Sequence, residues 1–218
     1  YYVEQAPATG LLQRATENPK TVVLSEADAA GILATNIDTY DSTVQTVVAA
    51  QGATATDTSA TAANETLGDE RDILVSNTGL PGAGNLEAET SSSVLIINTD
   101  SGAQGSVIVT YDGIDADATT IDHTNLNIDL TAGGGTAFHF LATSQAGNQL
   151  QVNVYSSAVD YSSLTVNLPV TGSLLTYENL LMHFSDFVAD PGGSGADFTS
   201  VTAIRMEVLV AESVDARI

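Results

Sequence analysis

The sequence predicts an all-β protein: a jelly-roll-like antiparallel β-sandwich carrying an N-terminal extension. Three observations carry this expectation. Apolar and polar residues alternate with a period of two from Leu67 onward, and clusters of Gly, Asn, Asp and Ser punctuate the alternation. Hydrophobic residues also make up 43% of the 218, enough to bury one sizeable core.

Taken in order, Thr21–Leu24 reads as a strand, and Ser25-Glu26-Ala27-Asp28 resembles a capping box opening a short helix through Leu33. Val44–Ala49 reads as a second strand. Gln51–Thr66 is rich in Ala and Thr and is expected to be a linker or long loop. Residues 1–66 therefore form either the first hairpin of the sandwich or an arm that packs elsewhere, and residues 67–218 form the sandwich domain. Strands are predicted at Ile73–Ser76, Asn85–Thr90, Val94–Asn98, Ser106–Tyr111 and Ala137–Thr143. Turn signals separate them, among them Gly79-Leu80-Pro81-Gly82, Asp112-Gly113 and Gly133-Gly134-Gly135. The clearest alternation falls at Leu126, Ile128 and Leu130; at Leu150, Val152 and Val154; at Leu164, Val166 and Leu168; and at Ile204, Met206, Val208 and Val210. Each set gives one buried and one wet face, as antiparallel sandwich sheets require.

Charge narrows the partners. Twenty-seven acidic residues face five basic ones, a formal net charge of −22. Nucleic acid and anionic membrane surfaces repel such a chain, so neither is expected as a partner. No apolar run approaches the roughly 20 residues of a membrane-spanning helix, and membrane insertion is not expected. Lys20 is the one lysine, and Thr, Ser, Asn and Gln supply the polar surface, a composition expected of exported surface proteins. The chain opens on Tyr1, as expected of a mature secreted protein whose leader has been removed. Cysteine is absent, which excludes disulfides and thiolate metal sites.

Four segments carry a family likeness: Arg71-Asp72-Ile73-Leu74-Val75-Ser76-Asn77-Thr78; Ile128-Asp129-Leu130-Thr131-Ala132-Gly133-Gly134-Gly135 with Ala137-Phe138; Leu150-Gln151-Val152-Asn153-Val154-Tyr155; and Phe184-Ser185-Asp186-Phe187 with Asp197-Phe198 leading into Val201–Ile204. In these, Arg71–Val210 resembles the secreted domains that precede PEP-CTERM sorting signals in bacterial exopolysaccharide-associated surface proteins. The resemblance implies export and a surface or matrix location. It covers about two-thirds of the chain and leaves out the N-terminal extension. No Pro-Glu-Pro, apolar anchor or basic tail follows Val210, so the expectation is a sorting signal already removed or a protein released without one.

Catalysis is not expected. His123, His139 and His183 are isolated and lack zinc-ligand spacing, the serines lie in no GxSxG elbow, and there is no cysteine nucleophile. His139 is expected to point away from the face shared by Phe138 and Phe140. Calcium is the chemistry the sequence favours. Asp112, Asp115, Asp117 and Asp122 gather hard oxygen donors in one loop, and calcium takes six to eight such ligands at about 2.3–2.6 Å. Asp186, Asp190 and Asp197 form a weaker cluster of the same kind. Asn64-Glu65-Thr66 is a glycosylation sequon in a stretch expected to be exposed. Tyr155, Tyr161 and Tyr177 are either a sugar-binding face or ordinary strand tyrosines.

The expected function is a structural subunit of an extracellular filament or matrix, self-associating into a homopolymer by strand exchange. Tyr1–Gln13 or Thr21–Leu24 is the expected donor, and Ala203–Val210 the expected exposed edge. The alternative is a monomeric adhesin or carbohydrate-binding module whose partner is an extracellular polysaccharide.

Overall fold

The computed structural model of the chain describes residues 36–62 and 65–218. Tyr1–Gln13, Thr21–Leu24, the Ser25–Leu33 helix and Asn64 of the sequon lie outside the described residues. The other two sequon residues, Glu65 and Thr66, are buried rather than exposed.

Thirteen strands are present among the described residues: β1 (Gln45–Ala49), β2 (Thr54–Ala60), β3 (Glu70–Asn77), β4 (Leu86–Ser91), β5 (Val94–Thr99), β6 (Gly105–Tyr111), β7 (Ala137–Ser144), β8 (Gln149–Tyr155), β9 (Tyr161–Asn167), β10 (Glu178–His183), β11 (Val188–Ala189), β12 (Ala203–Val210) and β13 (Ala216–Arg217). They form two antiparallel sheets, of order β1-β4-β5-β13-β7-β10 and β11-β9-β8-β12-β6-β3-β2. The chain crosses repeatedly between the sheets, and the all-β sandwich expected from the alternation is the fold. No helix among the described residues is long and apolar enough to cross a membrane.

The core is built as the period of two dictates. Ile73 and Val75, Val107 and Val109, Leu150, Val152 and Val154, and Ile204, Met206 and Val208 project inward from the seven-stranded sheet. Leu86, Ala88, Leu95, Ile97, Ala142 and Met182 meet them from the other. Each fully buried Val, Leu or Ile contributes roughly 1.5–3 kcal/mol. All five phenylalanines cluster at one end, where Phe138, Phe140, Phe184, Phe187 and Phe198 pack with centroid separations from 4.6 to 6.3 Å.

Three expectations change. Ala203–Val210 is no edge: β12 lies between β6 and β8 and pairs with both along nearly its whole length. Gln51–Thr66 is not simply a linker, because Thr54–Ala60 forms β2 against β3 at the border of the seven-stranded sheet. The β-branched threonines at 54, 56 and 58 suit a half-exposed edge. Leu126–Leu130 alternates correctly, with Leu126 and Leu130 buried, yet makes a single bridge, Ile128 to Val201, instead of a strand.

The seam between the sheets is pinned by a buried cation. The Arg71 side chain is fully buried, on the inward face of β3. Its Nε and Nη2 donate to Asp38 at 2.6 and 2.7 Å, and Nη2 also donates to Glu65 at 3.2 Å. Nη1 reaches the Thr43 carbonyl, Gln45 and Thr90 at 3.1, 3.1 and 3.2 Å. The guanidinium carbon lies 4.9 Å from the centroid of the Tyr40 ring. Glu65 in turn accepts from the backbone N–H and hydroxyl of both Ser42 and Thr43. Burial opposes its ionisation, but these hydrogen bonds win and hold its carboxyl well below the ordinary range.

Along one stretch of the six-stranded sheet a second neighbour is missing among the described residues. β13 is two residues long and pairs with β7 only at Thr143 and Ser144. From Ala137 to Ala142, β7 pairs among the described residues with β10 alone. A partly open cavity of about 280 Å³ lies beside it, lined by residues that include Ile37, Tyr111, Phe138, Phe140, Met206 and Ile218.

Candidate metal centre

Strand alternation sorts Glu70-Arg71-Asp72 by sign. Arg71 turns into the sandwich, and Glu70 and Asp72 stand on the outer face of the seven-stranded sheet. The register β3–β6 sets Asp72 opposite Thr110, and Asp112 continues the outward face of β6 just past its end. An outward carboxylate is normally wet. Here the chain leaves β6 at Gly113 and the loop that follows folds back over these acids. The turn needs glycine: Gly113 has φ +100°, and a Cβ there would lie 2.6 Å from the Asn125 Cβ.

The loop is stitched down by the carboxylates it covers. Glu70 accepts from the backbone N–H groups of Asp115 and Ala116 at 2.9 and 2.8 Å. Asp112 Oδ2 accepts from the Asp122 N–H at 2.7 Å. As a result Glu70 is 4% exposed, Asp72 1% and Asp112 0%. Both oxygens of Asp72 and Oδ1 of Asp112 have no hydrogen-bond partner among the described residues. The salt bridges of the described residues involve Arg71 or Arg205, and none reaches this cluster.

Glu70, Asp72 and Asp115 bring one carboxylate oxygen each to within 4.8 Å of the others. Burial, then the charges of Asp112, Glu70 and Asp115, push the Asp72 carboxyl up to about 8. Burial likewise pushes Asp112 up to about 6, against the hydrogen bond from Asp122. The Asp115 carboxyl is raised too, by burial first and then by Glu70. Like charges confined without a counter-ion are costly, and a proton or a bound cation relieves them. This buried acidic cluster can bind a metal ion, and its all-oxygen donor set suits a hard cation.

Of the residues the sequence singled out, Asp115 belongs to the cluster, and Asp112 is buried beside it with its charge acting on Asp72. Asp117 instead caps its own turn, accepting from Thr119 and Thr120, which hold its exposed carboxyl down to about 2. Asp122 contributes its backbone N–H to Asp112, while its carboxylate serves Thr124 and Asn125. Glu70 and Asp72 escaped the sequence reading. Asp190 binds the Tyr161 hydroxyl and Asp197 caps Thr199.

Tyr155 and Tyr161 pair across β8 and β9 with ring centroids 5.0 Å apart and planes 27° from parallel, and His123 lies 5.6 Å from Tyr155. Tyr177, which precedes β10 in the other sheet, is not part of this pair. His139 is exposed and bonds Asn179, on the opposite face of β7 from the stacked Phe138 and Phe140.

No known family model matches the chain, and no curated protein matches it.

Proposed function

We propose that the protein is a calcium-binding structural subunit of an extracellular filament or matrix. The observation that carries the reading is Asp72, a carboxylate 1% exposed with neither oxygen partnered among the described residues, set beside Glu70, Asp115 and Asp112. Calcium suits such a site better than magnesium. It accepts irregular sets of six to eight oxygens, whereas magnesium demands near-ideal octahedral geometry and keeps its waters. Glu70, Asp72 and Asp115 supply the ligands, with the buried Asp112 beside them and water completing the shell. Calcium sites of extracellular modules work at roughly 0.1–1 mM, so export would load the site and stabilise the sandwich.

Three observations support the structural role. The family resemblance of Arg71–Val210 implies a surface or matrix location. A net charge of −22 keeps neighbouring subunits hydrated and limits lateral clumping. Among the described residues strand edges are left open in both sheets, and strand exchange at such edges generates fibres when the contacts do not close.

Negative-stain electron microscopy of the purified protein, in calcium and in EDTA, tests the reading. Regular filaments in calcium are expected. Dispersed particles under both conditions would contradict it and favour a monomeric glycan-binding surface module, for which the stacked Tyr155 and Tyr161 supply a sugar platform.

A further inference from the structure

We infer that the gap beside β7 is an acceptor groove for the N-terminal strand segment Thr21–Leu24 of a second copy of this chain. The inference rests on the strand-exchange reading and names its site.

The edges of β1, β2 and β10 lack a second partner strand among the described residues. The gap beside β7 also opens the core. Six residues of β7, Ala137–Ala142, lack a second neighbouring strand among the described residues, a span of about 20 Å at 3.3 Å per residue. Through the gap, the 280 Å³ cavity reaches from Phe138 and Phe140 on one sheet to Tyr111 and Met206 on the other. An apolar cavity of about 150 Å³ holds a benzene ring, so this one takes about two branched side chains. A strand laid along β7 would satisfy the free backbone groups and send alternate side chains into that space.

Thr21–Leu24 fits on chemistry. Val22 and Leu24 share one face of a strand and Thr21 and Val23 the other, giving two apolar groups for the cavity. Charge fits as well. Residues 1–24 carry Glu4 and Glu17 against Arg14 and Lys20, so this segment is neutral and the whole net charge of −22 falls on the remainder. A neutral strand can approach a body that repels every other part of the chain. Reach favours a second copy as the donor. Asn36 lines the cavity, so the 35 residues before it start from the groove mouth and span up to about 115 Å when extended. Between Leu24 and Asn36 the sequence predicts a capped helix over Ser25–Leu33, and a nine-residue helix, about 13 Å long, would favour a neighbour's groove over its own.

The chain has no cysteine, so paired thiols report the contact directly. Thr21→Cys or Val23→Cys would each be combined with His139→Cys or Leu141→Cys, the exposed outward positions of β7. Adjacent strands, about 4.8 Å apart, bring such pairs within disulfide range. At least one of the four full-length double variants should give a ladder of covalent multimers on a non-reducing gel. A control pairing the same donor cysteines with Val159→Cys, exposed in the turn between β8 and β9 of the other sheet, should give none. Disulfides confined within one chain would overturn the second-copy donor. Free thiols in all four variants, or an equal ladder in the control, would overturn the groove. Filaments by microscopy without a specific ladder would leave the structural reading standing and remove this acceptor site; a specific ladder without filaments would do the reverse.

Discussion

Arg71→Met is expected to destabilise the fold by about 3–5 kcal/mol, because it strands Asp38 and Glu65 as buried anions. The side chain is completely enclosed, and its donors all find acceptors in Asp38, Glu65, Thr43, Gln45 and Thr90. Removing the guanidinium leaves the Asp38 carboxylate with donors only from the Tyr40 N–H and the Tyr111 hydroxyl. In a domain of this size each kcal/mol moves the melting temperature by about 2–4 °C, so a loss of roughly 6–20 °C is expected. Arg71→Lys should recover little of it, since an ammonium cannot grip both Asp38 oxygens and Glu65 while also reaching Thr43, Gln45 and Thr90. The combined variant Arg71→Met, Asp38→Asn, Glu65→Gln should recover more. Urea unfolding of the set measures this, and a cost under about 1 kcal/mol for Arg71→Met would show that the seam is held by apolar packing alone.

The second large effect has the opposite sign. In EDTA at neutral pH, Asp72→Asn is expected to be more stable than the parent chain. Asp72 titrates near 8 in the fold and near 4 when unfolded, so between those values folding takes up a proton. A raised carboxylate therefore costs stability progressively as pH rises, at about 1.4 kcal/mol per unit, and the cost is complete only above about pH 8. Asp112 adds a penalty about half as large between about 4 and 6. Asparagine carries no charge to bury, and its amide can donate to the orphaned Oδ1 of Asp112. The two proteins should thus melt together near pH 4 and diverge by several kcal/mol toward pH 8. Calcium should reverse the order, raising the melting temperature of the parent chain and leaving Asp72→Asn nearly unmoved. If Asp72→Asn were the less stable protein in EDTA at pH 7.5, Asp72 would have to be doing structural work that its orphaned oxygens do not reveal.

Much of the sandwich could be read from local alternation. β8, β9 and β12 each carry their period of two in plain view, because burial on one face and solvent on the other leave a mark on every second residue. Where that contrast is weak, the reading failed. β2 sets Thr54, Thr56 and Thr58 against Ala55, Asp57 and Ser59 with no large apolar residue on either face, and β10 buries only Met182 well, so neither shows an alternation to detect. Leu126–Leu130 shows the converse: its leucines are buried by loop packing rather than by a partner strand. The placement of β12 in the middle of its sheet depends on pairing with β6, far upstream, and no local pattern records that.

The metal cluster divides the same way. Asp112 and Asp115 were legible because a loop gathers them within four positions. Glu70 and Asp72 were not, since nothing in a strand-like Glu-Arg-Asp run gathers its acids with those of a loop forty residues on. Alternation separates Arg71 from its neighbours, and the loop after Gly113 then removes their solvent. Both steps are tertiary, although the i, i+2 spacing of Glu70 and Asp72 was a signal that they share a face.

Isothermal titration of calcium into the EDTA-treated, dialysed protein at pH 7.5 tests the central claim most directly. The account predicts one saturable site per chain with proton release, abolished in Asp72→Asn and weakened in Asp115→Asn, while Asp117→Asn titrates like the parent chain. A flat titration of the parent chain, or an unchanged isotherm in Asp72→Asn, would contradict it.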